Sequence, residues 1–137
     1  MTKVWYENPE TAAPAQGLYS HVGLGQDGTI AFIAGQLSVG SSGEVVGVGN
    51  FDEQFRQIFS NLGAVLAGIG GGYKDIMKFT TYLVHSQDIG NFMRLRKESF
   101  PTLFGSSIFP PNTLLIVDRL VKEEFLLEVE AVALLKR

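Results

Sequence analysis

Few side chains in this sequence can do chemistry, and two of them stand together near its end. The run Phe125-Leu126-Leu127-Glu128-Val129-Glu130-Ala131-Val132-Ala133-Leu134 is apolar except for two carboxylates. Its β-branched and aliphatic content predicts a strand, and side chains alternate faces along a strand. Phe125, Leu127, Val129, Ala131 and Ala133 then share a wholly apolar face. Leu126, Glu128, Glu130, Val132 and Leu134 share the other. A carboxylate among aliphatics is solvated, paired or used. The pattern fits a solvent-facing or ion-paired glutamate, and equally a carboxylate in a cleft that forms when this face meets another subunit. The two histidines, His21 and His85, have no companions at metal-ligand spacing, so no metal site is read.

Bulk properties narrow the classes. The chain has 137 residues, which predicts one domain spanning 1–137, with residues 1–16 as an extended N-terminal arm. It is 45% hydrophobic and 18% charged, a globular composition. The net charge of −3 and the absence of a basic, aromatic-laced run argue against a nucleic-acid partner held by phosphate neutralisation. There are no cysteines, so disulfides, thiol nucleophiles and cysteine metal sites are out. No apolar run is long enough for a membrane span, and the first residues lack a signal-peptide core; a cytoplasmic protein with no membrane partner is the expectation.

Several elements must position those carboxylates. Leu18–Leu24 and Thr29–Ala34 read as strands joined by Asp27-Gly28, a dipeptide suited to a hairpin turn. The match Gly23-x-Gly25-x-x-Gly28 resembles a dinucleotide fingerprint, but a strand follows it where a true one opens a helix, so no nucleotide cofactor is read. The glycine-rich stretch 40–49 lacks the Lys-Ser/Thr of a P-loop. Asn50 to about Ile69 is a helix: Phe51, Phe55, Ile58, Phe59, Leu62, Val65, Leu66 and Ile69 recur at helical spacing. Asn50 is placed to cap it, and Gly70-Gly71-Gly72 to end it. Asp75–Val84 reads as a strand. A second helix runs from about Ile89 to Phe100, where Pro101 ends or bends it. Arg96 lies on that helix's apolar stripe, the place of a side chain that snorkels at the core edge. Phe109–Leu120 and Phe125–Leu134 read as a closing hairpin around the charged turn Val121-Lys122-Glu123-Glu124.

The order β-β-(β)-α-β-α-β-β predicts an α+β fold with two helices on one face of a mixed sheet. The other face keeps Leu126, Val132 and Leu134, with either Leu114 and Ile116 or Leu115 and Val117. An apolar face of that size is covered in a symmetric oligomer, which puts any cleft between subunits.

Several runs, taken in order, resemble a known family. They are Ala34-Gly35-Gln36, Thr80-Thr81-Tyr82-Leu83-Val84, Phe109-Pro110, and Arg119-Leu120 ahead of Leu127-Glu128-Val129-Glu130-Ala131-Val132-Ala133. From about Gln16 to Leu134 the chain is similar to the Rid (reactive intermediate deaminase) family, also called YjgF. The resemblance implies a chorismate-mutase-like α+β fold, a homotrimer, and three inter-subunit clefts that take a small metabolite. Deaminase members hydrolyse enamines and 2-imino acids to 2-keto acids and ammonia without cofactor or metal. In them a Tyr near the N-terminus, an Arg in the penultimate strand and a Glu in the last strand line the cleft. The Arg grips the substrate carboxylate, and the Glu is held to position or activate water.

The resemblance assigns the Tyr to Tyr19 and the Glu to Glu128. At the arginine of the family's Pro-x-Arg-Ser this chain has Asn112, within Pro110-Pro111-Asn112-Thr113. Leu114 stands where some deaminases carry Cys, and Ala34, before Gly35, where many carry Ser. An Arg–carboxylate pair is charged and geometrically fixed, whereas Asn supplies two donors and no charge. Its loss costs anionic substrates on the order of a few kcal/mol. Three readings follow: an imine or enamine hydrolase with altered substrate preference, a non-catalytic small-metabolite binding protein, or a site in which Arg96 restores the missing cation.

Overall fold

Two helices lie along one face of a four-stranded sheet, and a separate two-stranded ribbon closes one end of the opposite face. The computed structural model describes residues 1–137. Strands β1 (Lys3–Glu7) and β2 (Val22–Gln26) form the ribbon, antiparallel. Strands β3 (Thr29–Gln36), β4 (Ile76–Leu83), β5 (Asn112–Ile116) and β6 (Leu127–Leu135) form the sheet, in the order β3-β6-β4-β5. All its pairings are antiparallel except β4–β5, which is parallel. The helices are α1 (Phe51–Gly68) and α2 (Ile89–Phe104). The α+β architecture read from the sequence is therefore present.

Asn50 starts α1 with extended backbone, and its side-chain oxygen accepts the Glu53 amide at 3.0 Å. Gly70, at φ 84°, lets the chain leave the helix left-handed. The phenylalanine stripe is core: the Phe59 ring lies 4.6 Å from Phe55, 5.5 Å from Phe100 and 6.0 Å from Phe79, centroid to centroid. Below it, Leu127, Val129, Ala131 and Ala133 of β6 are buried, as alternation requires.

Four expectations need correction. The last two strands are not a hairpin. β4 lies between them, and residues 117–126 carry the chain across it. Nor do the strands around Asp27-Gly28 pair with each other. Asp27 takes φ 57°, as a turn residue should, but β2 pairs with β1 and β3 with β6. The N-terminal arm is partly ordered strand, and Tyr6 anchors it by donating its hydroxyl to the Ile76 carbonyl at 2.6 Å. Finally, α2 runs through Pro101 to Phe104. The ring removes one backbone donor, but Phe100 and Phe104 are held in the aromatic core, at 5.6 Å and 5.9 Å from Phe109.

Gly23 and Gly25 have a packing reason in place of a nucleotide one. A Cβ on Gly23 would lie 2.0 Å from the Met77 carbonyl oxygen, so only glycine lets β2 press against β4 there.

Candidate functional site

The register fixes what the helix-free face displays. Lys78 stands opposite Val132, Thr80 opposite both Glu130 and Thr113, and Tyr82 opposite both Glu128 and Leu115. Phe32 lies on the other side of Val132. Three adjoining depressions run along this face. The first, about 260 Å³, is lined by Gly35, Tyr82, Arg119, Leu120, Glu128 and Glu130. The second shares Glu130 with it and adds Lys78, Thr80 and Val132. The third, about 600 Å³, shares Lys78 and Val132 and includes Tyr19, His21, Asn112 and Thr113.

Glu128 is half-buried in the first depression. Burial, and then the charge of Glu130, raises its proton affinity above that of an ordinary carboxyl group. Tyr82 donates its hydroxyl to the Glu130 Oε1, which holds that second carboxylate in place and makes the phenol harder to ionise. Gly35 lies directly on Glu128: a Cβ there would fall 1.8 Å from Oε2. This close approach occurs at the irregularity where β3 shifts register against β6. Ala34 is exposed beside it.

Tyr19 and the backbone at Asn112 border the third depression, away from Glu128; the Asn112 side chain stands opposite Phe79, on the helix side of the sheet with Leu114. Lys78 and Tyr82 mark the two ends of the trough, four residues apart on β4, a separation on the order of 13 Å along a strand. Within one chain, then, Tyr19 and Glu128 do not converge. The Asn112 side-chain oxygen accepts the hydroxyl of buried Thr81 at 2.8 Å. Leu114 pairs with Thr81 and packs against the core on the helix side, so it does not line the trough.

Arg96 does not snorkel; it is 1% exposed. Its guanidinium carbon lies 4.9 Å from the Phe92 ring centre and 6.0 Å from that of Phe100. Nη2 donates to the Met93 sulfur at 2.9 Å, while Nε and Nη1 have no partner. Burial lowers its pKa to about 10. Sequence reasoning passed over Lys78 and Tyr82 as site residues. The signal was there, since Lys78-x-Thr80-x-Tyr82 is a polar alternation within an apolar strand.

A mixed sheet with two helices on one face and a polar trough on the other defines an α+β protein of the YjgF, chorismate-mutase-like class. The model of a family described as Endoribonuclease L-PSP matches residues 10–135, and the chain belongs to that family, the Rid/YjgF proteins. A RutC family protein of Pyrococcus horikoshii is 36% identical over 107 residues, 77% of this chain and 79% of its own length. A Rid family protein, YyfB of Yersinia pestis, superposes with a TM-score of 0.86 at 30% identity, covering 97% of this chain and 99% of that one. RidA of an Antarctic Psychrobacter gives 0.66 at 26% identity, covering 93% and 97%. No helix is long and apolar enough to cross a membrane.

Proposed function

We propose that this protein is a homotrimer with small-molecule clefts between its subunits, in which Glu128 drives hydrolysis of an imine or enamine. An enamine first shifts a proton from nitrogen to its β-carbon and becomes the imine; water held by Glu128 then adds to the carbon of C=N, and its proton passes through the carboxylate to nitrogen. The resulting carbinolamine collapses to a carbonyl, and nitrogen leaves as ammonia or an amine. The observation that carries this reading is the state of Glu128: half-buried, seated against Gly35, with its proton affinity raised by burial and by Glu130. A carboxyl group so tuned accepts and returns a proton nearer neutral pH than a solvated one. Tyr19 of a neighbouring copy completes the cleft, because Tyr19 and Glu128 stand at opposite ends of the trough in one chain. No metal or cofactor is required by these steps.

By the resemblance, Asn112 takes the position of the deaminase arginine, and an amide there lends no charge to a substrate carboxylate. Hydrolysis of RNA, which the family's description names, is not favoured by a depression lined by two carboxylates, Glu128 and Glu130, in a chain of net charge −3.

The test is ammonia and carbonyl release from freshly generated 2-imino acids and from a panel of neutral imines. We expect turnover of at least one substrate, with Glu128→Gln lowering it roughly a hundred-fold or more. No turnover across the panel, with Glu128→Gln indistinguishable from wild type, leaves a metabolite-binding protein instead.

A further inference from the structure

Arg96 is a buried cation that the proposed hydrolysis does not use. A guanidinium that is 1% exposed, with two of its nitrogens unpartnered and no carboxylate beside it, is a rare and costly arrangement. Its surroundings explain neither its presence nor its orientation. Phe92 and Phe100 offer ring faces, and Met93 offers a weak sulfur acceptor. An apolar side chain would fill the same space without the penalty.

What lies over Arg96 gives the clue. Its Nη2 is 3.3 Å from the point a Cβ of Gly17 would occupy, so the backbone at Gly17 covers the guanidinium. Two residues on, Tyr19 lines the large depression that also holds Asn112. The Gly17–Tyr19 segment thus runs from over the buried cation, on the helix side of the sheet, to the rim of the trough. That segment belongs to a strap, residues 9–19, whose hydrogen bonds all close within residues 8–21. Ala12 donates to Pro9, the Gln16 amide to the Tyr19 hydroxyl, the Gln16 side chain to Pro14, and Tyr19 to Gly17. A His21 ring nitrogen lies 2.5 Å from the Ala13 carbonyl oxygen, and the His21 amide donates to Asn8 Oδ1. No hydrogen bond ties the strap to the sheet or helices; apolar packing at Leu18 and of Gly17 against Met93 is what holds it down.

We propose that Arg96 is the carboxylate-recognition group of this site, covered by the strap when the site is empty and reached when the strap rises. The proposal rests on the hydrolase reading only for the identity of the trough as a substrate site. The ligand class is a small organic acid. Its two oxygens satisfy the orphaned Nε and the adjacent guanidinium donors in the paired geometry a guanidinium favours. The cation that Asn112 does not supply is then supplied from α2, beneath Tyr19 rather than from β5.

Binding is measured with 2-oxobutanoate as an unreactive acid probe, with 2-butanone as its neutral counterpart and inorganic phosphate as a third ligand. We expect the acid to bind wild type, Arg96→Met to weaken it at least ten-fold, and Glu128→Gln to leave it intact or tighter. Hydrogen exchange at the Gly17–Tyr19 amides should quicken when the acid is added, and weak 2-butanone binding should be insensitive to Arg96→Met. Phosphate binding in preference to the acid overturns the ligand class. Equal acid affinity in wild type and Arg96→Met, or no acid binding at all, overturns the proposal. Should Arg96→Met not fold, the wild-type Arg96 Nε resonance decides: it shifts on titration with the acid, and a stationary signal refutes the contact. Hydrolysis that vanishes in Glu128→Gln but is unchanged in Arg96→Met sinks this inference and leaves the hydrolase reading standing. Arg96-dependent acid binding without any turnover does the reverse.

Discussion

The Glu128 carboxylate, half-buried beside Glu130, costs the fold stability. Its proton affinity is raised in the folded protein, first by burial and then by Glu130. The folded state therefore binds the proton more tightly than the unfolded chain, and the sign follows from linkage. Below the ordinary carboxyl pKa both states are protonated and there is no penalty. As pH rises through the window between the unfolded and the raised folded value, the unfolded chain releases its proton first and stability falls. Above the folded value the penalty is constant. Glu128→Gln removes the charge while keeping the shape. Its thermal midpoint is expected to match wild type near pH 3.5 and to exceed it at pH 7, when unfolding is followed at both. A variant less stable than wild type at pH 7 would mean that the carboxylate is favourably paired in the fold.

At the scale of elements, the positioning device is the irregular end of β3. There the register shifts and Gly35 comes directly against Glu128. In Gly35→Ala the new Cβ would overlap the end of the Glu128 side chain, which swings aside at little cost because it is flexible. Unfolding should shift by no more than about 1 kcal/mol, a typical surface-like change. The proposed hydrolysis should fall at least ten-fold because the carboxylate leaves the position that reading requires of it. Wild-type activity in this variant would show that the placement of Glu128 is not critical. The sequence made some of these elements plain and hid others, for physical reasons. Helix α1 is legible because Phe51, Phe55, Ile58, Phe59 and Leu62 repeat with the helical period and Asn50 marks the start. The two faces of β6 are legible because alternation is a local property. Strand pairing is not local: nothing in Asn112–Ile116 says that its neighbour is β4, in parallel, rather than β6. Residues 117–126 are long enough to cross a strand, yet they look like a charged hairpin turn. The sequence did raise a cleft between subunits, from the apolar face that the helices leave uncovered, but not how far apart Tyr19 and Glu128 stand within one chain. The burial of Arg96 was half legible: its stripe position was visible, but not the strap that seals it.

The whole molecule leaves its trough-bearing face uncovered. Phe32 is 83% exposed and Ile30 54%, with Leu115 across the same face. Phe32 stands beside Val132, one row from Glu130, so whatever covers it also borders the trough. Burying a phenylalanine stabilises an assembly by about 1.5–3 kcal/mol, and a closed trimer buries three. Glutamate at this position reverses that gain in each interface and adds a third carboxylate near Glu128 and Glu130. The helices and their aromatic core lie on the opposite side of the sheet, so the fold of the chain should survive. Phe32→Glu is expected to sediment as a monomer, to keep its far-ultraviolet helical signal, and to lose hydrolysis with the loss of the neighbour's Tyr19. Mixing Glu128→Gln with a Tyr19→Phe variant sharpens the point. If each cleft takes Glu128 from one copy and Tyr19 from the next, mixed trimers contain some clefts with both residues intact, and activity returns above that of either variant alone. A monomeric but fully active Phe32→Glu protein, or mixed trimers no better than their parents, would place the whole site within one chain.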